Sequence, residues 1–209
     1  MGINARGMGR FLAGLVALVL SGSLLAQTEY RDCVVLLLHD AGSSPQAMAG
    51  LGRKLQPACA PRAPEMPWSR ARHNDKDAAA AWQELGRLVR NLRRDGVRRI
   101  VVLGQGHGAN AALAYAGATG EPDAVVAIAP LAKSPGLPEL PAIAAKMRQH
   151  IPAIWVIGEQ DPLFAQGEAF AYAKAPPHPG SAYVVVGADH KGTPEAAVKP
   201  VLDWLKTLE

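Results

Sequence analysis

Carboxylate and imidazole side chains, which proteins use for general acid–base chemistry, follow several apolar runs of this chain. Asp161 and His190 each come just after such a run, and so does Asp40. A fourth run is followed by a glycine-rich turn that contains Gly106 and His107. An aspartate that lies next to a histidine can orient the imidazole as a general base, so these segments are candidates for a site that activates a hydroxyl group or a water.

The apolar runs predict the strands that must position these side chains. They are short, continuous and rich in valine and isoleucine, as expected for strands buried on both faces. Helical segments lie between them, and this alternation predicts a parallel sheet of the α/β class. The predicted strands are 34–38, 59–64 (weak), 100–103, 124–128, 153–157 and 182–186. The predicted helices are 45–55, 76–95, 109–116 and 194–208, with a loop at 130–141.

Each candidate segment comes at the carboxyl end of a predicted strand. In open parallel sheets, ligands bind beyond this edge, where the loops that follow the strands meet. We therefore expect the segments 39–42, 104–108, 158–162 and 187–190 to form one site.

With these four segments in this order, the chain resembles the α/β hydrolases over residues 33–208. In that family a sharp strand–turn–helix carries Gly-x-Ser-x-Gly, followed along the chain by an acid and then a histidine. The resemblance implies an α/β-hydrolase fold with helices on both faces of a mostly parallel sheet, and little or no lid. It also implies that Asp161 is the acid, that His190 is the base, and that Asp40, Ala41 and His107 lie around an oxyanion hole.

The nucleophile position departs from the family pattern, because Gly106 stands where the serine is expected. The turn contains no Ser, Cys, Thr or Asp that could replace it. Removal of a triad nucleophile lowers turnover by roughly 10⁶. Asp40 is a second departure, since a carboxylate there would repel a developing oxyanion unless its side chain faces away. The space of the missing serine could instead hold a water that His190 activates.

Three functional hypotheses follow. The first is a catalytically impaired protein that binds a small molecule or a partner in the former active-site pocket. The second is a hydrolase of small esters that uses a water activated by His190 and Asp161, and the third is an interaction protein of the cell envelope. Asp161 and His190 could also be a structural pair that orients two loops.

Two further features have competing interpretations. Trp68 is a candidate ligand contact, but plain packing explains it as well and is favoured. Ser43 and Ser44 precede Pro45 at the start of a predicted helix, so N-capping is favoured over a displaced nucleophile.

The first 26 residues predict a secretory signal peptide, and residues 27–209 a single domain. Arg6 and Arg10 precede the apolar run 11–20, which is interrupted before it reaches the roughly 20 residues that span a membrane. We therefore expect a periplasmic or secreted protein without stable membrane insertion after cleavage. In an oxidising compartment Cys33 and Cys59 could form a disulfide, and two buried thiols are the alternative.

Composition excludes several other classes. Hydrophobic residues make up 49% of the chain and charged residues 19%, which excludes a wholly disordered protein. The net charge is +4, but two of the basic residues lie in the leader and the others are interspersed with acidic residues. No concentrated basic surface is therefore predicted, and nucleic-acid binding is not expected. No histidine pair has the i, i+4 spacing of a helical metal site, and two cysteines alone cannot build a zinc cluster. We expect neither a metal nor another cofactor.

Overall fold

The computed structural model describes residues 32–72, 77–162 and 171–208. Its strands form one parallel sheet of six strands in the order β2-β1-β3-β4-β5-β6. The strands are β1 (Cys33–Leu38), β2 (Ala60–Arg62), β3 (Arg99–Gln105), β4 (Ala124–Ile128), β5 (Ala153–Gly158) and β6 (Ala182–Val186). The helices are α1 (Ala49–Leu55), α2 (Ala78–Arg94), α3 (His107–Thr119), α4 (Leu140–Ala144), α5 (Thr193–Ala196) and α6 (Val198–Lys206), with a 3₁₀ helix at Pro45–Met48.

The sheet separates two hydrophobic cores. Alternate residues of β1 point to opposite faces, so Val34 and Leu36 join one core while Val35 and Leu37 join the other. Helices α2, α3 and α4 cover the first face, and α1 and α6 cover the second. This double cover explains why the central strands are apolar throughout rather than alternating.

Helix α3 lies directly behind the carboxyl end of β3 and is buried along most of its length. Its sequence of alanines and glycines lets the helix backbone come close to the sheet. A Cβ atom on Gly108, in the first turn of the helix, would lie 2.3 Å from Leu38 O of β1, closer than side-chain carbons come to other atoms. The small residues of α3 therefore hold the start of this helix firmly against β1 and β3.

Most predicted elements are confirmed, with differences at their ends. The predicted helix 194–208 is divided into α5 and α6, and the weak strand at 59–64 is reduced to the three residues of β2. The predicted loop at 130–141 was too long, because α4 begins at Leu140. Pro141 at the first turn of α4 is tolerated because the backbone N–H is not needed there.

Cys33 and Cys59 are joined by a disulfide, with their Cα atoms 4.7 Å apart. The bridge links the start of β1 to the residue before β2, and the alternative of two free thiols is therefore wrong. The predicted signal peptide lies outside the described residues. Within the described part of the chain, no helix combines the length and the apolar character needed to cross a membrane.

Candidate functional site

Asp161 and His190 meet at the carboxyl edge of the sheet, as the resemblance implies. His190 Nδ1 lies 2.7 Å from Asp161 Oδ2. The Asp161 side chain is 2% exposed, whereas that of His190 is 28% exposed. With Nδ1–H donating to the carboxylate, a neutral His190 ring has Nε2 as its acceptor. The pair thus has the geometry of an oriented general base, and we call it the acid–base half of the site.

Backbone contacts bring the two loops of the acid–base half together. The Gln160 N–H donates to the Ala188 carbonyl at 3.0 Å, and the Glu159 N–H donates to the Val186 carbonyl at 2.9 Å. Gly158 permits this approach, because a Cβ atom there would lie 2.3 Å from Ala188 O. The loop of His190 is closed by Asp189, which accepts the Gly192 N–H through Oδ1 at 2.7 Å. Both loops are therefore fixed independently of any ligand.

The turn after β3 has the geometry of a nucleophile elbow. Gly106 joins β3 directly to α3 with φ 55° and ψ −120°, a conformation that strains every residue except glycine. Gly104 and Gly108 bracket it at positions without room for a side chain. A Cβ atom on Gly104 would lie 2.0 Å from Gly108 O, and one on Gly108 would lie 2.3 Å from Leu38 O. The elbow is retained although its central residue has no reactive group.

The protein's own carboxylate binds the two N–H groups that the resemblance assigns to an oxyanion hole. Asp40 Oδ1 accepts the backbone N–H of Ala41 and that of His107, each at 2.8 Å. These are the two donors that the resemblance assigns to an acyl oxygen. The Asp40 side chain therefore does not face away. One carboxylate oxygen lies where a developing oxyanion would otherwise be bound.

The same carboxylate also fills the place of the missing serine. A Cβ atom built on Gly106 would lie 2.5 Å from Asp40 Cγ and 2.8 Å from Asp40 Oδ2. The expectation that this space could hold a water is therefore wrong. Asp40 and Gly106 form one arrangement, because the carboxylate fits only where residue 106 has no side chain. Together with Ala41 and the backbone of His107, we call them the elbow half of the site.

Trp68 lies behind the site rather than in it. Trp68 is 2% exposed, and its indole N–H donates to the His39 carbonyl at 2.8 Å. It packs edge-on against the His107 ring at a centroid distance of 4.8 Å. Trp68 is thus a core residue that supports both loops of the elbow half, in agreement with the favoured interpretation as packing rather than with a ligand contact. Ser44 occupies the N-cap position of the 3₁₀ helix, but its side chain makes no capping hydrogen bond.

Sequence reasoning missed the side chains that anchor the loop after β4. The His107 ring contacts Ser134 Oγ through Nδ1 at 2.6 Å, and both residues are buried. Asn110 holds Leu131 at both backbone groups, donating to its carbonyl at 2.7 Å and accepting its N–H at 2.8 Å. The amide of Asn110, in a helix made mostly of alanine and glycine, was an available signal, since a buried amide needs partners.

The described residues include no group of three or more His, Cys, Asp or Glu side chains that could hold a metal ion. A cavity of about 460 Å³ lies at the amino ends of β5 and β6, next to Trp155 and Tyr172, at the opposite end of these strands from Asp161 and His190. This cavity contributes nothing to the site described above.

Comparison with solved structures gives the fold. The chain is similar to the protein TT1662 from Thermus thermophilus, with a TM-score of 0.70, 18% identity, and coverage of 86% of this chain and 90% of that one. It is also similar to Est1E from Butyrivibrio proteoclasticus, with a TM-score of 0.68, 11% identity, and coverage of 86% and 89%. A monoacylglycerol lipase from Paleococcus ferrophilus gives a TM-score of 0.66 at 15% identity, with coverage of 84% and 95%.

The protein therefore has the α/β-hydrolase fold, and the predicted fold class is confirmed. No family model matches the sequence. No curated protein matches it either. At these identities the likeness concerns the fold, so the function has to be argued from the site.

Proposed function

We propose that this protein is an exported, catalytically impaired α/β-hydrolase-fold protein that binds a small molecule at the carboxyl edge of its sheet. In this proposal it does not hydrolyse esters through a covalent intermediate on residue 106. The observation that carries the proposal is the Asp40 carboxylate, which accepts both N–H groups of the oxyanion hole at 2.8 Å. The leader and the disulfide between Cys33 and Cys59 support export.

Two losses combine against serine-type hydrolysis. The absence of a nucleophile removes roughly 10⁶ in turnover. An ester carbonyl could enter the oxyanion hole only by displacing Asp40, and loss of even one such donor costs roughly 10² to 10³ in turnover. A charged acceptor held by two N–H groups is also stabilised by about 1.5–3 kcal/mol for each bond. The carboxylate therefore competes effectively with the neutral carbonyl of an ester.

The acid–base half supports a site that still meets a ligand. His190 is partly exposed at the edge where α/β folds bind ligands, and its ring is held by the buried Asp161. Its Nε2 can accept a hydrogen bond from a hydroxyl or amine of a small molecule.

Ester hydrolysis by the purified protein tests the catalytic part of the proposal. With p-nitrophenyl acetate we expect the wild type, His190→Ala and the control His150→Ala to give the same background rate. His150 is a suitable control because it is an exposed imidazole outside the four loops of the site. A wild-type turnover that His190→Ala removes and His150→Ala keeps would contradict the proposal.

That contradicting result would instead support the second candidate function, hydrolysis by a water that His190 activates. The intact hydrogen bond between His190 and Asp161 at 2.7 Å is the observation that favours it. In this case the water would lie beside the Asp40 carboxylate, since the space next to Gly106 is filled.

Thermal-shift screening tests the binding part. A ligand of the native state raises its stability by RT ln(1 + [L]/Kd), so ligands of this site should raise the Tm of the wild type and of His150→Ala. They should raise the Tm of His190→Ala less. Compounds that stabilise all three proteins equally bind elsewhere, and a screen that yields only such compounds would refute binding at this site.

A further inference from the structure

A groove of about 560 Å³ lies beside the candidate site, between α1 and α5. Gln105, the residue before Gly106, lines this groove, and so does Lys191, the residue after His190. Residues directly next to Gly106 and His190 in the sequence therefore line the α1–α5 groove.

Positive charge dominates the rim of the α1–α5 groove. Arg53 and Lys54 come from the last turn of α1, and Lys191 comes from the opposite side. Glu195 is the acid that lines the groove, and it is paired with Lys54. Among the described residues, Arg53 and Lys191 take part in no ion pair. Two cations thus face one concave space without a compensating acid.

The floor of the groove is apolar with one amide. Met48 is 1% exposed and Leu51 is 8% exposed. Gln105 lies on the same face of β3 as Val101 and Leu103, so its half-buried side chain points toward α1. A floor of this kind can contact the apolar part of a small molecule while the charged residues of the rim bind its charged group.

We propose that the α1–α5 groove binds the anionic group of the small-molecule ligand, which makes that ligand a carboxylate or a phosphate monoester. This inference rests on the proposed function. The oxyanion hole cannot take the anion, because Asp40 already accepts both of its N–H groups. Arg53 offers a planar fork suited to two anionic oxygens, and Lys191 adds a mobile charge from the other side. The concave shape concentrates the field of both cations.

Binding of two named probes, inorganic phosphate and acetate, tests the groove in the full chain at low ionic strength. Two-dimensional NMR titration gives the affinities, and the two probes separate the phosphate class from the carboxylate class. For the probe that binds, Arg53→Ala and Lys191→Ala should each weaken affinity about three- to fivefold, as expected for a partly exposed charge contact. Added salt should weaken binding further, because the cations are exposed to solvent.

Gly50 provides a sharper variant, since a Cβ atom there meets nothing within 4 Å and new side chains can enter the groove without a clash. Gly50→Glu introduces a negative charge and a partner for Lys54 one helical turn away, so affinity should fall at least about tenfold. Gly50→Gln has the same shape without the charge and should stay within about twofold of the wild type. Arg87→Ala removes one exposed charge from α2, on the opposite face of the sheet, and should also have little effect.

The outcomes separate this inference from the proposed function. If neither probe binds, or if Arg87→Ala weakens binding as much as Arg53→Ala, the groove is not an anion site. If ligands from the thermal-shift screen depend on His190 but tolerate Gly50→Glu, the proposed function holds and this inference fails. If the wild type hydrolyses esters through His190 while Gly50→Glu removes anion binding, the inference holds and the proposed function fails.

Discussion

The two halves of the candidate site differ in how far they depart from a serine hydrolase. In the acid–base half, the buried Asp161 still holds His190 at 2.7 Å, and loop contacts fix both residues. In the elbow half, the backbone of the turn is retained, but Asp40 fills both the oxyanion hole and the place of the nucleophile. The comparison teaches that the two halves depart unequally from the arrangement that the resemblance implies. The departures described here lie at positions 40 and 106.

The largest expected effect comes from restoring the elbow half. Asp40→Gly combined with Gly106→Ser frees the two N–H groups that Asp40 occupies and supplies a hydroxyl at the elbow, while the pair of His190 and Asp161 is unchanged. We expect p-nitrophenyl acetate turnover at least about 10³-fold above the wild type, since a missing nucleophile accounts for roughly 10⁶. Steady-state rates and an initial burst measure the gain.

The matched control for this double variant is Asp40→Gly with Gly106→Ala, which has the same backbone demands but no hydroxyl. It should stay at background, and His190→Ala added to the active variant should remove the gain. A double variant without activity, although correctly folded by circular dichroism, would show that the acid–base half has changed as well.

A smaller effect is expected from Gly106→Ser alone. Its Cβ atom would lie 2.5 Å from Asp40 Cγ, so the carboxylate must leave its two N–H donors, and the serine must adopt φ 55°. Loss of these two bonds and the strained backbone should lower the free energy of unfolding by about 4 kcal/mol or more. Urea denaturation measures it. This variant should remain inactive on esters.

Asp40→Gly should recover part of that loss when combined with Gly106→Ser, because the clash is removed. The two substitutions are therefore expected to be strongly non-additive in a double-mutant cycle. Additive free energies of unfolding would mean that Asp40 and Gly106 are independent, contrary to the arrangement described above.

The smallest effect is expected from Asp40→Asn. The amide oxygen can accept the same two N–H groups, so the geometry is kept and only the charge assistance is lost. We expect the free energy of unfolding to fall by about 2 kcal/mol, because each of the two bonds loses about 1 kcal/mol when its acceptor becomes neutral. Asp203→Asn, an exposed acid on α6, should change it less. If Asp203→Asn lowered the free energy of unfolding more than Asp40→Asn, the charge of Asp40 would not stabilise its two hydrogen bonds.

Much of the fold followed from the sequence because the apolar runs are long, continuous and separated by helical segments. The strands 124–128 and 182–186 were predicted to the residue. Helix α4 was missed because its start, Leu140-Pro141, lies in a segment rich in Pro and Ser, where only packing against α3 reveals a helix. The terminal helix was predicted as one piece because Ala197, where α5 ends and α6 begins, is a good helix former.

For the site, the sequence placed Asp161 and His190 correctly because they follow adjacent strands of a parallel sheet. It also marked Asp40 and Gly106 as two departures from the family pattern. It could not show that the two departures depend on each other. The two positions are 66 residues apart in the sequence, and the Asp40 carboxylate fits only because residue 106 has no Cβ atom. The role of Trp68 was equally out of reach, since burial depends on what the neighbouring loops cover.

The outer glycines of the elbow have a consequence for how such proteins are recognised. Gly104 and Gly108 are required by the close packing of β3, α3 and β1, where any Cβ atom would meet backbone within 2.3 Å. Their presence therefore carries information about architecture and none about catalysis. A pattern search that rewards the two glycines will retrieve chains like this one whatever residue lies between them. What distinguishes such chains is the pair of residues at the positions equivalent to Asp40 and Gly106 of this protein.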